Sequence, residues 1–295
     1  MALINLMKFI WNHPFNKNNK VAAISRFVKW QINGLINPYP VIYQLTENSK
    51  MVAKKGMTGV TGNIYSGLLE FADMLFLLHL LRPEDTFYDI GANVGVYTIL
   101  ASGEIGANTV SVEPIPGTFT TLQLNIAINQ INDKVKALNM AVGDKEGTIG
   151  FTTELDTVNH VATNLEISSG TVINVNIYKL DDLIKGPVPL LLKIDVEGYE
   201  TSVINGAEKL LKNPELKAII IELNGSGERY GYNDEYIHNK LFEYGFSTNT
   251  YDPHKKELIA LKSFGIHNTL YLRDLDFIKS RISSSRKIKI QDQQF

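Results

Sequence analysis

The residues that most clearly indicate chemistry form a β-prone run that ends close to an acid and leads directly into a glycine turn. The run is Thr86–Ile90, with Asp89 near its end, and the turn carries Gly91 and Gly95. A strand, a tight glycine turn and the start of a helix are together typical of nucleotide sites in open α/β proteins. Glycine at these positions is expected to let the backbone approach a ligand, and the helix N-terminus supplies unpaired N–H donors.

The spacing within the turn favours a nucleoside over a dinucleotide. The dinucleotide pattern Gly-x-Gly-x-x-Gly requires a glycine at the position that Asn93 occupies. Asp89 would repel a pyrophosphate, but it can accept a hydrogen bond from an ammonium group. The turn therefore predicts a positively charged nucleoside ligand. The alternatives are a nicotinamide-dependent Rossmann oxidoreductase and a non-catalytic scaffold that retains the nucleoside pocket.

Acids recur at the ends of the other predicted strands. Glu113 ends the second strand, Asp195 and Glu197 end the fourth, and Glu222 ends the fifth. The carboxyl ends of parallel strands meet at one edge of the sheet, where such sheets bind ligands. Glu113 stands where an acid binds ribose hydroxyls in nucleotide folds. Lys193 is expected to pair with a neighbouring acid, because an unpaired charge inside a buried strand is costly.

Composition sets limits on the rest of the chain. The 295 residues are 44% hydrophobic and 20% charged, which indicates a globular chain with one large domain, alone or with an appendage. The absence of cysteine excludes a disulfide framework, a thiolate nucleophile and a zinc–thiolate site. The start of the sequence has the pattern of neither a signal peptide nor a membrane span, so a cytoplasmic location is expected, free or peripheral to the membrane.

The formal net charge of −2 is unevenly distributed. Residues 1–46 carry +5 and no acid, residues 279–295 carry +4, and residues 47–278 carry about −11. Two basic ends fit an anionic partner such as a membrane surface or a lipid-linked substrate, while solvated tails and contacts between subunits of a homo-oligomer are the alternative. Nucleic acid is not expected as a partner, because the acidic body would repel a phosphate backbone.

Alternating strand and helix patterns after the glycine turn predict a mostly parallel sheet covered on both faces. Residues 1–65 are interpreted as an N-terminal appendage of helix and short strands, 66–278 as the main domain, and 279–295 as a basic tail. Within the appendage, residues 21–36 form a moderately amphipathic helix that could dock on the core, pair with a second subunit or lie on a membrane. Residues 148–179 are expected to be an insertion that overhangs the ligand-binding edge.

Three further elements are predicted from hydrophobic patterns. The third strand is expected over Val135–Val142, and one continuous helix is expected from Glu200 to Leu211. The last two strands, Phe246–Tyr251 and Asn268–Leu272, are expected to form an antiparallel pair around Pro253.

Four segments resemble the FkbM family of S-adenosylmethionine-dependent methyltransferases. They read Asp-Ile-Gly-Ala-Asn-Val-Gly-Val-Tyr-Thr from Asp89, Val-Glu-Pro from Val112, Leu-Lys-Ile-Asp-Val-Glu-Gly-Tyr-Glu from Leu192 and Ile-Ile-Ile-Glu from Ile219. The resemblance implies the class I methyltransferase fold, a Rossmann-like, seven-stranded sheet with its last strand antiparallel and helices on both faces. It also implies O-methylation of a hydroxyl group on a sugar, a glycan or glycolipid, or another natural product, with S-adenosylmethionine as the donor.

The resemblance implies cofactor-binding roles by position. The residues concerned are Asp89, Gly91, Asn93, Gly95, Glu113, Met140, Ala141, Val142 and Asp195. In this interpretation the glycine turn holds the methionine part of the cofactor, Glu113 holds the ribose hydroxyls, and residues 140–142 flank the adenine.

Methyl transfer to a hydroxyl group requires close alignment and a base, because an alcohol is a very weak acid. The candidate catalytic residues are His160, Asp195, Glu197 and Glu222. His160 lies in the insertion, and histidine suits base chemistry near neutral pH, although a lone loop histidine is also compatible with a structural role. The three acids could instead bind a divalent cation that orients two hydroxyls. No metal is assigned, because spacing alone does not identify such ligand sets.

Overall fold

The structure, a computed structural model, describes residues 2–153, 159–163, 166–167, 172–183, 185–265 and 267–295. The helices of these segments are Ala2–Asn12 (α1), Lys20–Ile36 (α2), Thr58–Ser66 (α3), Phe71–Leu80 (α4), Val96–Ile99 (α5), Pro116–Ile128 (α6), Leu180–Leu183 (α7), Glu200–Asn205 (α8), Glu208–Lys212 (α9), Asp234–Glu243 (α10) and Leu275–Ser283 (α11). A π-helical segment, Leu100–Ile105, continues α5, and 3-10 turns cover Pro14–Asn16 and Ser226–Tyr230.

The strands are Val41–Gln44 (β1), Lys50–Ala53 (β2), Thr86–Ile90 (β3), Asn108–Val112 (β4), Val135–Leu138 (β5), Ala141–Gly143 (β6), Gly147–Thr152 (β7), Val172–Lys179 (β8), Leu191–Ile194 (β9), Ala218–Glu222 (β10), Ser247–Asp252 (β11), Glu257–Ala260 (β12), Asn268–Leu272 (β13), Lys289–Ile290 (β14) and Gln293–Gln294 (β15).

An eight-stranded sheet organises the fold, in the order β12-β11-β13-β10-β9-β3-β4-β5. The strands from β5 to β10 in this order pair in parallel, whereas β13 is antiparallel to both β10 and β11. Seven strands therefore form the predicted Rossmann-like sheet of the class I methyltransferase fold, with one reversed strand. The eighth strand, β12, was not predicted. It joins the edge through a hairpin around Pro253, so this turn connects β11 to β12 and not β11 to β13.

Two predicted elements are divided in the structure. The segment Val135–Val142 is not one strand, because β5 joins the central sheet while β6 pairs with β8 in a separate three-stranded sheet. Between them, the Asn139 amide donates to the carbonyl oxygens of Glu113 and Pro114, which fixes the point where the chain leaves the central sheet. The helix expected from residue 200 to 211 is interrupted at Gly206, where a Cβ would overlap the carbonyl group of Gly143.

Both ends of the chain share the hydrophobic core on one side of the sheet. Phe15 and Trp30 from the N-terminal region pack in the same cluster as Phe87 of β3 and as Ile288 and Phe295 from the C-terminal segment. The Phe15 ring lies 6.2 Å from Phe71 and 5.9 Å from Phe295, centroid to centroid. The division into residues 1–65, 66–278 and 279–295 stays a prediction, but the outer two segments contribute buried side chains to the core of the middle one.

Asn125 of α6 and Asn129, directly after this helix, fasten the β1–β2 hairpin beside the glycine turn. The Asn125 side chain accepts a hydrogen bond from the Val52 N–H at 2.8 Å and donates to the Val94 carbonyl at 2.7 Å. Asn129 exchanges two hydrogen bonds with the backbone of Lys50. Because buried backbone groups need partners, these amides tie the N-terminal hairpin to the residues that shape the turn.

Replacing Phe15 with alanine is expected to lower the free energy of unfolding by about 3–5 kcal/mol, because the lost ring leaves a cavity in the shared core. Urea unfolding followed by circular dichroism measures the change. Phe242, 54% exposed on α10, is the matched control, and Phe242→Ala should change this free energy by less than about 1 kcal/mol. A separate early transition in the Phe15→Ala variant, with the main transition unmoved, would contradict a common core.

Candidate functional site

A cavity lies at the carboxyl ends of β3, β4 and β9. Its wall is formed by residues 89–94 at the end of β3 and in the glycine turn, 112–115 after β4, 140–142 at the start of β6, and 195–197 after β9. This is the edge at which parallel α/β sheets bind ligands. Of the nine residues predicted to bind a cofactor, all except Gly95 line the cavity.

The two glycines of the turn are required by packing of the protein against itself. Gly91 has φ +81°, and a Cβ there would overlap the carbonyl oxygen of Asp195. Gly95 has φ +90°, and a Cβ there would meet the Leu122 side chain of α6. The loop after β9 and helix α6 therefore already require glycine at these two positions, and close approach of the backbone to a ligand stays a prediction.

Asp89 holds the start of α5 while it faces the cavity. It is 1% exposed, and its Oδ2 accepts hydrogen bonds from the Thr98 N–H at 3.1 Å and the Thr98 hydroxyl at 2.7 Å. Burial raises the pKa of Asp89, although Lys193 and the Thr98 hydrogen bond oppose the shift. The strand-end acid thus fixes the helix that follows the glycine turn.

Glu113 holds the backbone of the turn from the neighbouring strand end. Its two carboxylate oxygens accept hydrogen bonds from the N–H groups of Asn93, at 3.0 Å, and Ile115, at 2.9 Å. Burial raises the pKa of Glu113 to about 7, against the lowering effect of these two donors. A carboxylate offers about four acceptor positions, so Glu113 keeps acceptor capacity for hydroxyl groups in the cavity.

Residues 140–142 form an apolar part of the cavity wall, and Ala141 and Val142 are each 4% exposed. The predicted insertion also reaches the cavity, since Phe151 of β7 and Asn159 line it. Residues 154–158, 164–165 and 168–171 of the insertion lie outside the described residues.

The prediction that Lys193 pairs with a nearby acid is confirmed. Lys193 is 3% exposed, and its Nζ donates to Asp195 Oδ2 at 2.6 Å. The same ammonium group lies 4.7 Å above the Tyr97 ring, in a cation–π arrangement. Burial alone would lower the pKa of Lys193, but attraction to Asp195, Glu70 and Asp89 outweighs this effect. The net result is a raised pKa, so the ammonium stays charged.

The side chains of three candidate catalytic acids lie close to one another. Single carboxylate oxygens of Asp195, Glu197 and Glu222 all lie within 4.8 Å of one another. Burial, followed by repulsion from Asp195 and Glu222, raises the pKa of Glu197 to about 8. Burial and Asp195 raise the pKa of Glu222 to about 7. Carboxyl groups tuned in this way can exchange protons near neutral pH, and the same oxygen set also fits a hard divalent cation. Asp195 and Glu197 line the cavity, whereas Glu222 is absent from its described lining.

His160 is not brought to the other catalytic candidates. It is 6% exposed, and its Nε2 lies 3.1 Å from Glu166 Oε1. Its backbone N–H donates to the Thr152 hydroxyl. Among the described residues that line the cavity, its neighbour Asn159 is present and His160 is absent.

Sequence reasoning missed the wall contributed by α3 and by the start of α4. Gly59 and Asn63 of α3 line the cavity, as does Glu70 directly before α4. Asn268 of β13 donates from its amide nitrogen to Glu70 at 2.9 Å and to Asp73 at 3.2 Å. Burial and repulsion from Glu70 raise the pKa of Asp73 to about 7. The signal in the sequence is the pair of acids in an otherwise apolar helical segment.

Residues 89–248 match the family model described as "Methyltransferase FkbM domain". Because this region is more than half of the chain, the protein belongs to the FkbM methyltransferase domain family. The resemblance that the four sequence segments indicated is thus confirmed.

Two curated relatives illustrate the distance within the family. The hexuronic acid methyltransferase AglP of Haloferax volcanii is 26% identical over 151 residues, which covers 50% of this chain and 59% of AglP. The 31-O-demethyl-FK506 methyltransferase FkbM of Streptomyces tacrolimicus is 26% identical over 189 residues, 52% of this chain and 72% of the relative. The chain therefore spans about three fifths of the length of AglP.

A solved structure, that of the methyltransferase FkbM from Methylobacillus flagellatus KT, is 16% identical and has a TM-score of 0.45. The superposition covers 73% of this chain and 53% of that chain.

Replacing Glu197 with glutamine is expected to stabilise the protein more at about pH 8.5 than at about pH 5.5. The folded-state pKa of Glu197, about 8, lies above its ordinary value. Between the ordinary pKa of 4.5 and the folded-state pKa of about 8, the folded protein holds a proton that the unfolded chain releases. The wild-type protein therefore loses stability as the pH rises through this range. Thermal unfolding midpoints at both pH values test the difference. The exposed Glu257 provides the control, and an equal shift of the Glu197→Gln midpoint at both pH values would contradict the assignment.

Proposed function

We propose that this protein transfers a methyl group from S-adenosylmethionine to a hydroxyl group of a sugar, a glycan or another natural product. The observation that carries the proposal is the charge of the cavity. Its lining contains five acids and one lysine: Glu70, Asp89, Glu113, Asp195, Glu197 and Lys193. A cation inside such a cavity gains favourable Coulomb energy from the surrounding carboxylates, because burial reduces solvent screening.

The described residues fit this cofactor in three ways. Its ammonium and sulfonium groups are cationic and match the acidic lining. Glu113 retains acceptor positions for the two ribose hydroxyls. Residues 140–142 supply an apolar wall for the adenine. A dinucleotide fits less well, since its pyrophosphate would face the same acids and Asn93 fills the place of the glycine that such a ligand needs.

The bound cofactor supplies an electrophilic methyl group, and the chain must orient the acceptor hydroxyl and take its proton. Glu197 lines the cavity, and its raised pKa suits a base that works slightly above neutral pH. Asp195 is held by the Lys193 ammonium, so it can orient the acceptor through a fixed oxygen. We assign Asp195 to positioning the hydroxyl and Glu197 to accepting the proton. Burial is the main cause of the raised pKa of Glu197, and repulsion from Asp195 and Glu222 adds to it.

The names of the two relatives support the acceptor class. One is called a hexuronic acid methyltransferase and the other a 31-O-demethyl-FK506 methyltransferase. Both names point to molecules that carry oxygen functions. We therefore propose a hydroxyl-bearing acceptor and leave its identity to a substrate screen.

Isothermal titration with S-adenosylmethionine, S-adenosylhomocysteine and NAD tests the cofactor. The first two should bind and NAD should not. Glu113→Gln should weaken both by about 10- to 100-fold, the equivalent of about 1.5–3 kcal/mol for hydrogen bonds to a charged group. The isosteric change keeps one acceptor oxygen for the backbone, and the exposed Glu146→Gln variant is the matched control. Binding of NAD alone would overturn the methyltransferase proposal.

Asp195→Asn should lower turnover by about 10²- to 10⁴-fold while the dissociation constant for S-adenosylmethionine changes much less. Turnover is measured as release of S-adenosylhomocysteine with a panel of uronic acid glycosides and macrolide alcohols. Asp276→Asn on exposed α11 is the control. Unchanged turnover would remove Asp195 from the catalytic candidates, and equal losses of binding and turnover would assign it to the cofactor. Cofactor binding by the wild type without turnover of any acceptor would favour the scaffold alternative.

A further inference from the structure

Exposed apolar side chains are concentrated in the N-terminal region. Among the described residues, eleven of the sixteen large hydrophobic side chains that are exposed lie within residues 1–42. Single exposed apolar residues are ordinary, but a concentration of them on one part of a surface indicates an interaction site. The concentration lies outside the cavity and outside the family-matching region.

Helix α2 is apolar on two opposite faces. Its inward face consists of Ala23, Phe27 and Trp30, all buried in the core. Its outward face carries Val21, Val28, Ile32 and Leu35, which are 79%, 45%, 53% and 77% exposed. Spacings of seven, four and three residues place these four side chains along one line of the helix. We call them the outer stripe. Packing within the chain accounts for the inward face and leaves the outer stripe in solvent.

Exposed basic side chains accompany the outer stripe in the N-terminal region, and one of them, Lys29, lies on α2 itself. Lys8, Lys17 and Lys29 are exposed, and residues 1–46 contain no acid. The basic C-terminal segment lies close by, since Asn19, at the start of α2, donates a hydrogen bond to Asp292 at 3.3 Å. The two basic ends that the sequence shows as separate are therefore neighbours in the fold.

We propose that the outer stripe and the exposed lysines of residues 1–46 bind the surface of an anionic lipid bilayer, with α2 lying in the plane of the interface. An amphipathic helix with an apolar line and flanking lysines binds such surfaces through buried apolar area and attraction to anionic headgroups. In the described part of the chain no helix is both long and apolar enough to cross a bilayer. The proposal does not depend on the reaction in the cavity.

The charge of the N-terminal region favours an anionic bilayer over a second copy of the chain as the partner of the outer stripe. A two-fold symmetric contact would place the outer stripe of one copy against that of its partner. In such a contact the lysines of residues 1–46 in one copy would lie close to those of the other copy, and this segment contains no acid to neutralise them. Like charges at an interface are unfavourable. An anionic bilayer satisfies both the apolar stripe and the lysines.

The lipid-facing helix is one layer away from the cavity. The rings of Phe27 on α2 and Tyr65 on α3 lie 5.2 Å apart, centroid to centroid. Arg26 of α2 also donates to the Tyr65 carbonyl. Gly59 and Asn63, on the same helix α3, line the cavity. Contact with the bilayer would thus bring the cavity wall close to the membrane surface.

Flotation of the full chain with lipid vesicles tests the proposal. The protein should bind vesicles of phosphatidylcholine that contain about one third phosphatidylglycerol, bind pure phosphatidylcholine far more weakly, and be released by salt. The Ile32→Ser/Leu35→Ser variant and the Lys17→Gln/Lys29→Gln variant should each bind the anionic vesicles at least about tenfold more weakly. Ile259→Ser, an exposed apolar residue of β12, is the matched control and should bind as the wild type does.

Tryptophan fluorescence provides a second readout. The chain has two tryptophans: Trp30 is 8% exposed in the core, whereas Trp11 is 46% exposed, with the Lys20 ammonium 4.8 Å above its ring. Anionic vesicles should shift the emission to shorter wavelength, and Trp11→Phe should remove the shift while vesicle binding is largely retained.

Three results would overturn the proposal. The first is an absence of binding to anionic vesicles, and the second is equal loss in the stripe and Ile259→Ser variants. The third is a stable dimer in light scattering that dissociates in the Ile32→Ser/Leu35→Ser variant, which would assign the outer stripe to a second copy. Unchanged thermal midpoints of the variants confirm that folding is intact.

Discussion

The buried ammonium group of Lys193 allows several carboxylates to lie in one cavity. It is bonded to Asp195, faces the Tyr97 ring and lies in the field of Glu70 and Asp89. Withdrawing an ion pair from water costs free energy that the pair recovers only in part, so stability alone is a weak reason for this arrangement. Its effect is to hold the Asp195 carboxylate in place at the carboxyl end of β9, next to Glu197 and Glu222, whose pKa values rise towards neutrality. The charge pattern of the site follows from this one cation.

The second constraint is the contact between the glycine turn and the loop after β9. The Asp195 N–H donates to the Ile90 carbonyl at 3.0 Å, and the Asp195 carbonyl oxygen occupies the space that a Cβ at Gly91 would need. The turn and the candidate catalytic residue Asp195 are therefore held together by backbone contacts, independent of any ligand. Glu113, at the carboxyl end of β4, completes the arrangement by accepting a hydrogen bond from the Asn93 N–H. The candidate cofactor and acceptor sides are thereby parts of one rigid unit.

The positions at strand ends were predictable because their placement follows from local pattern and parallel topology. Glu113 and residues 140–142 reach the cavity for this reason, and so does Asp195. The break between β5 and β6 was not predictable, since it depends on hydrogen bonds from the Asn139 amide to two carbonyls in the segment that follows β4. The packing that requires glycine at position 91 was not predictable either, because it involves the carbonyl oxygen of Asp195, more than a hundred positions away. Likewise, the sequence around His160 does not specify that its side chain lies within hydrogen-bond distance of Glu166, or that its neighbour Asn159 lines the cavity.

The N-terminal region shows how one segment can serve both the core and the site. Phe15 and Trp30 bury their rings in the core of the sheet, while Gly59 and Asn63 line the cavity from α3. The family-matching region begins at residue 89, so the wall that α3 and Glu70 supply lies outside the part of the chain that defines the family. Residues 89–142 already provide the turn, Glu113 and the apolar wall that fit a charged nucleoside. The remaining wall, with Gly59 and Asn63 of α3, belongs to a helix that packs against α2 through the rings of Tyr65 and Phe27, so the part of the cavity outside the family-matching region is also the part next to the outer stripe.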